Sequence, residues 1–279
     1  MLNKIVIGKS LHHFTKEREE KRSEILANRE FEFVHDKINV LVGENGSGKS
    51  SLLATIAKKL LAYNYGHTRL DDRLLRFADE YWQKDDPERW YSEDLFMPDV
   101  TIESSSPLFC TYVAADWSPC DSPNFAYALC TGLEKEAKRH YHRVENFSSG
   151  QGMSNVIANT LELIAKRSPE IDLKEVEWHL KERDRTHMSK RAFTLREVLP
   201  PAGSNIVALF DEPERTLDLT AQFAFWRLLS QAAKLSHVQI IVATHSIIPL
   251  MSPDNFNFVE MNDGYTKRLL DISKEEFKQ

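Results

Sequence analysis

The chain has 279 residues, enough for one large α/β domain with inserts or for two small domains. A hydrophobic fraction of 42% and a charged fraction of 28% exclude a disordered or fibrous chain. The net charge of -6 excludes a molecule that is basic all over, so any nucleic-acid contact must come from a local patch.

In chain order, residues 3 to 8 and 31 to 34 read as short strands. Between them the charged stretch from Lys16 to Arg29 reads as a solvated helix or loop. The opening MLNKIVIGKSLHHF has too short an apolar run for a signal peptide, and no stretch approaches the roughly 20 apolar residues of a membrane span. The expected location is therefore cytoplasmic, with no membrane partner. Ile38 to Val42 is a compact apolar strand running into a glycine-rich loop. Ser50 to Tyr63 follows as a helix, with Leu52, Leu53, Ile56, Leu60 and Leu61 as its buried stripe.

Residues 64 to 100 mix a helical period (Leu70 to Trp82) with a stretch rich in charge, proline and aromatics. Its aromatics, Tyr81, Trp82, Trp90, Tyr91 and Phe96, fit either a partner surface or the core of a small lobe. Leu108 to Ala115 resembles a strand, and helices are expected over Ala126 to His140 and from about Met153 to Lys166. Cys110, Cys120 and Cys130 form no CxxC pair, which suggests free thiols in a reducing compartment. With His140 and His142 nearby a zinc site is conceivable, but the spacing matches no familiar ligand pattern.

Residues 167 to 203 form a polar, basic-leaning insert. Lys181, Arg183, Arg185, Lys190, Arg191 and Arg196 face only Glu182 and Asp184 between His179 and Arg196. Such a run could neutralise phosphates of DNA or RNA, or be an ordinary solvated surface. Beyond it come a strand (Ile206 to Phe210), an amphipathic helix (Leu219 to Leu235) and two more strands (Val238 to Ala243, Phe256 to Met261). Apolar runs alternating with helices predict an α/β fold with a mostly parallel sheet covered on both faces.

The chemistry gathers at strand ends. Gly43-Glu44-Asn45-Gly46-Ser47-Gly48-Lys49-Ser50 fits G-x-x-x-x-G-K-[ST] in full, between a strand and a helix, with Ser51 next. Its glycines let backbone N–H groups curl around phosphate oxygens beside the positive end of a helix dipole. Lys49 would reach the β- and γ-phosphates of ATP, and the Ser50 hydroxyl would ligate Mg2+. The strand ending in Asp211-Glu212 brings an acidic pair to the carboxyl edge of the sheet. Asp211 would hold Mg2+ and Glu212 would orient or deprotonate the attacking water. Phe147-Ser148-Ser149-Gly150-Gln151 opens a helix and suits an anion or a simple N-cap; Thr244-His245-Ser246 puts one histidine at a strand end.

Taken together, these segments resemble the ABC ATPase superfamily. GENGSGKS looks like its Walker A, FSSGQ its signature, ALFDEPE its Walker B with the catalytic glutamate, ERTLD its D-loop and THS its switch-histidine loop, all in order over residues 38 to 248. Ser149 stands where the signature usually has its first glycine. The resemblance implies one ATPase domain. A nucleotide-binding core (1–63 and 204–279) would carry a helical signature lobe with polar inserts (64–203). It further implies a homodimer that sandwiches ATP, with a higher oligomer open. Ser148, Gly150 and Gln151 of one head would face the γ-phosphate held by the partner's Lys49. His245 would touch that phosphate in cis, and Asp218 would communicate across the interface.

Three features point within the superfamily. The only glutamine between Walker A and signature is Gln83, in a charged stretch that does not look like the glutamine loop of transporter subunits. Gly150 and Asp211 lie 61 positions apart, far more than transporter subunits use. DEPE and THSIIP look like soluble ATPases akin to SMC-type repair proteins and OLD-family defence ATPases. The expectation is an ATPase that gates a DNA transaction or an effector. With 34 residues after His245, that effector is expected to be a separate polypeptide. A transport-system subunit and a nucleotide-gated scaffold with little turnover are the alternatives.

Overall fold

The computed structural model describes residues 1–9, 25–60, 99–106, 108–114, 149–166 and 204–276. Its larger sheet has five strands, all paired in parallel, in the order β5-β6-β7-β3-β8. These are β3 (Ile38–Val42), β5 (Leu108–Ala114), β6 (Asn205–Asp211), β7 (Val238–Ala243) and β8 (Phe256–Glu260). The runs INVLV, NIVALFD and VQIIVA are almost wholly buried, because a central parallel strand meets packing on both faces.

Alternation along β6 divides the core. Ile206, Ala208 and Phe210 join the layer under α3 (Leu219–Ala232) and α2 (Ser149–Lys166). Val207 and Leu209 join the layer containing Leu52, Leu53 and Ile56 of α1 (Lys49–Lys59). Phe210, Phe225, Trp226 and Phe256 form a chain of edge-on aromatic contacts at 5.4 to 5.6 Å through the first layer. His237, just before β7, meets the Ile164 carbonyl in the last turn of α2 at 3.2 Å. That contact answers a backbone acceptor that a helix end leaves open.

A second, antiparallel sheet runs β2-β1-β4, from β1 (Leu2–Ile7), β2 (Arg29–Glu32) and β4 (Val100–Ser104). The pattern of the sequence predicts β1 and β2 as strands but not β4, nor the separate sheet. Gln239, buried in β7, joins the two sheets. Its Oε1 accepts from Leu2 N–H at 2.8 Å, and its Nε2 donates to Leu2 O at 2.8 Å and Val34 O at 3.1 Å. Asn39, buried in β3, does the same work one strand over. It accepts from Val34 N–H at 2.9 Å and donates to Val34 O at 2.7 Å and Ile240 O at 3.2 Å.

Several boundaries shift. α1 begins at Lys49 within the glycine-rich loop, and α2 begins at Ser149, four residues before the expected Met153. A final helix, α4 (Tyr265–Glu276), is absent from the sequence reading. Its start is fixed by Glu260, whose carboxylate accepts from Gly264 N–H at 2.7 Å and Thr266 N–H at 2.8 Å. Cys110 is buried in β5, and burial pushes its thiol well above the ordinary value, as for an inert core residue. Cys120, Cys130, His140 and His142 lie outside the described residues, as do the aromatic stretch, the helix expected at 126–140 and the basic run 179–196. Among the described residues no helix is long and apolar enough to cross a membrane.

Candidate functional site

The carboxyl ends of β3, β6 and β7 lie side by side, and from them issue the glycine-rich loop, the acidic pair and the histidine loop. Parallel pairing explains this, since all three strands must end at the same edge.

At Gly43 the chain has no room for a side chain. A Cβ there would stand 2.7 Å from Ser47 Oγ and 2.8 Å from Met261 Cβ. Gly46 and Gly48 take positive φ angles of 79° and 97°, which favour glycine over any L side chain. Glu44 N–H donates to Asn262 Oδ1 at 3.1 Å, so the turn after β8 fixes the loop's entry. Asn45 is exposed at the tip, and Ser51 is half-buried in the first turn of α1.

The Lys49 ammonium curls back into the loop, donating to Gly43 O at 2.9 Å and Glu44 O at 3.0 Å. Burial pulls its pKa below the ordinary lysine value, and the carboxylates of Glu212 and Asp211 partly restore it. Ser50 Oγ donates to Asp211 Oδ1 at 2.9 Å. The other oxygen, Oδ2, accepts from the buried Tyr112 hydroxyl at 3.2 Å. Glu212 adopts a left-handed conformation (φ 46°, ψ 47°), rare outside glycine, with its N–H held by Ala243 O at 2.8 Å. This turns its carboxylate out of the strand line, where Oε1 meets His245 Nε2 at 3.5 Å.

These residues fit ATP with Mg2+. Among the described residues Ser47 Oγ is buried without a partner in the glycine-rich loop, as suits a phosphate oxygen. The Ser50 hydroxyl and Asp211 carboxylate are hard oxygen donors of the kind Mg2+ uses together with phosphate. Among the described residues no group of three His, Cys, Asp or Glu is placed to hold a metal ion.

Other expected residues fall elsewhere. Gly150 and Gln151 open α2, while Ser148 lies outside the described residues. Asp218 is exposed and caps α3, accepting from Ala221 N–H at 2.8 Å. Sequence reasoning missed the roles of Tyr112, Asn262 and Glu214. Glu214 Oε1 accepts from Thr244 Oγ1 at 2.6 Å and His245 N–H at 2.8 Å. A hydroxyl within the apolar β5 run and an extra acid in DEPE were the only sequence signals available.

The family model described as ABC transporter matches residues 26–166, just over half of the chain and including the glycine-rich loop and the start of α2. No curated protein matches the chain. Among solved structures, one similar chain is that of a metal-chelate type ABC transporter in an inward-facing conformation. It is 15% identical with TM-score 0.38, over 99% of this chain and 89% of that one. Another is an ATP-binding cassette in a dimeric post-hydrolysis state bound to ADP and Pi. It is 13% identical with TM-score 0.36, over 92% of this chain and 94% of that one.

Proposed function

The chain belongs to the ABC transporter family and is an ATPase working with ATP and Mg2+; from that premise we propose that two copies close head to tail on ATP to gate a DNA transaction or a partner effector, as in repair or anti-phage defence. The observation that carries the hydrolytic part is a pair of contacts at one sheet edge. Ser50 stands 2.9 Å from Asp211, and Glu212 stands 3.5 Å from His245.

Each residue has a distinct task. N–H groups of the glycine-rich loop bind the phosphates, Glu44 N–H excepted because Asn262 holds it, and Lys49 exchanges its two carbonyl partners for phosphate oxygens. Ser50 and Asp211 would hold Mg2+, which when bound would supply positive charge against the phosphate oxygens. Glu212 accepts a hydrogen bond from the attacking water, orients it and takes its proton as the water oxygen bonds to the γ-phosphorus and the bond from that phosphorus to the β–γ bridging oxygen breaks, its electron pair leaving with ADP. His245 steadies the Glu212 carboxylate and faces the same phosphate. Ser148, Gly150 and Gln151 come from the second copy, and Asp218 lies at the seam. Catalysis is then positioning plus charge stabilisation.

The gating role rests on the separation of 61 positions from Gly150 to Asp211, room for a target-binding insert, and on the basic run 179–196 within it. A second reading, the ATPase subunit of a transport system, is favoured by the description of the matching family. Capturing partners on the Glu212→Gln form with ATP and Mg2+ separates the two. Recovery of DNA or a soluble effector supports the first, and recovery of a membrane permease replaces it with the second.

A further inference from the structure

Glu212 and Glu214 grip one histidine from opposite ends. The His245 ring meets Glu212 Oε1 at 3.5 Å, while the His245 N–H donates to Glu214 Oε1 at 2.8 Å. The same Glu214 oxygen accepts the Thr244 hydroxyl at 2.6 Å. Thr244 Oγ1 in turn accepts from Ser246 N–H at 2.9 Å, and Ser246 Oγ accepts from Ile248 N–H at 3.3 Å. The whole loop after β7 is thus organised outward from one carboxylate oxygen.

That carboxylate sits on the short turn Pro213–Thr216, whose main chain is also tied to α3. Gln222 Nε2 donates to Leu217 O at 3.1 Å and Glu214 O at 3.5 Å, and Asp218 caps the same helix. Any displacement of segment 214–218 therefore carries the Glu214 carboxylate with it, and with the carboxylate the His245 backbone.

We infer that Glu214 is a positioning residue that couples segment 214–218 to the switch histidine, so that His245 meets Glu212 only while that segment is seated. The inference rests on the proposed roles of Glu212 and His245. A bond to the His245 main chain, with a second to the preceding side chain, fixes where the ring starts without occupying either ring nitrogen. The ring stays free for Glu212 and phosphate. Among the described residues the second Glu214 oxygen is buried without a hydrogen-bond partner, so the contacts of Oε1 carry the link to the histidine loop.

Steady-state hydrolysis by the full chain tests this. Glu214→Ala removes both acceptor contacts and is expected to lower kcat about 100-fold with the ATP KM changed less than about threefold. Glu214→Gln keeps an acceptor oxygen and is expected to stay within about threefold of wild type. In a His245→Ala background, Glu214→Ala is expected to cost nothing further, because its effect passes through the histidine. A full additional loss in that background, or wild-type kcat in Glu214→Ala, overturns the inference. If Glu214→Ala fails to fold, Thr244→Val carries the test, with an expected loss of about tenfold that again vanishes beside His245→Ala. A His245→Ala form with wild-type turnover would instead overturn the proposed role of the histidine itself.

Discussion

The Tyr112 hydroxyl stands 3.2 Å from Asp211 Oδ2, on the side of the carboxylate away from Ser50. Adjacent pairing of β5 and β6 brings them together, with Leu209 opposite Tyr112 and Asp211 opposite Ala114. The phenol thus sets the plane of the carboxylate whose other oxygen accepts from Ser50, the proposed Mg2+ ligand. Tyr112→Phe should raise the Mg2+ concentration for half-maximal hydrolysis about tenfold, the loss of one hydrogen bond to a charged group. A magnesium titration of ATPase rate checks this, and an unchanged midpoint would assign Tyr112 to packing alone.

Gln239 carries a different burden, tying β7 to the antiparallel sheet. Gln239→Leu would leave the Leu2 N–H and the Leu2 carbonyl without their Gln239 partner in the core, while the Val34 carbonyl keeps its bond from Asn39 at 2.7 Å. The expected destabilisation is about 3 kcal/mol, since each buried orphan costs about 1–3 kcal/mol and partial relaxation recovers some of it. Urea unfolding should show a lower midpoint at unchanged slope, and a midpoint equal to wild type would contradict the account.

Glu260 gives the fold a pH dependence. Partial burial pushes its carboxyl up, but hydrogen bonds from the N–H groups of Thr266 and Gly264 outweigh that and hold it below the usual range. A depressed carboxylate stabilises the folded state fully above its unfolded pKa of about 4.3, and that contribution fades as pH falls through the lower folded value. Glu260→Ala should therefore cost about 1 kcal/mol at neutral pH. Thermal unfolding of both proteins should show the gap narrowing below about pH 4.3, whereas a constant gap would mean that the carboxylate charge is irrelevant.

Much of this site could be read from the sequence because its chemistry sits at the ends of apolar strands. GENGSGKS, DEPE and THS each follow an uninterrupted run, INVLV, IVALF or VQIIVA, so the parallel edge on which they meet follows from the pattern. What escaped notice depends on pairing between distant segments. Tyr112 is a residue of no local distinction until β5 lies against β6, and Glu214 gains its meaning only from Thr244, thirty positions on. α4 was hidden for another reason. YTKRLLDISKEE is polar, and its start is specified by Glu260 in the preceding strand rather than by a cap beside it. β4, with the sequence VTIES, is a short strand that among the described residues pairs only with β1, nearly a hundred residues earlier.

The central claim is that Glu212 drives hydrolysis in a site completed by a second copy. Light scattering of Glu212→Gln with saturating ATP and Mg2+ tests it most directly, because the amide cannot take the water's proton and the closed pair should accumulate. The account predicts a species of twice the 32.2 kDa chain mass that reverts when ATP is withdrawn. A species that stays at the mass of one chain under saturating nucleotide would contradict it.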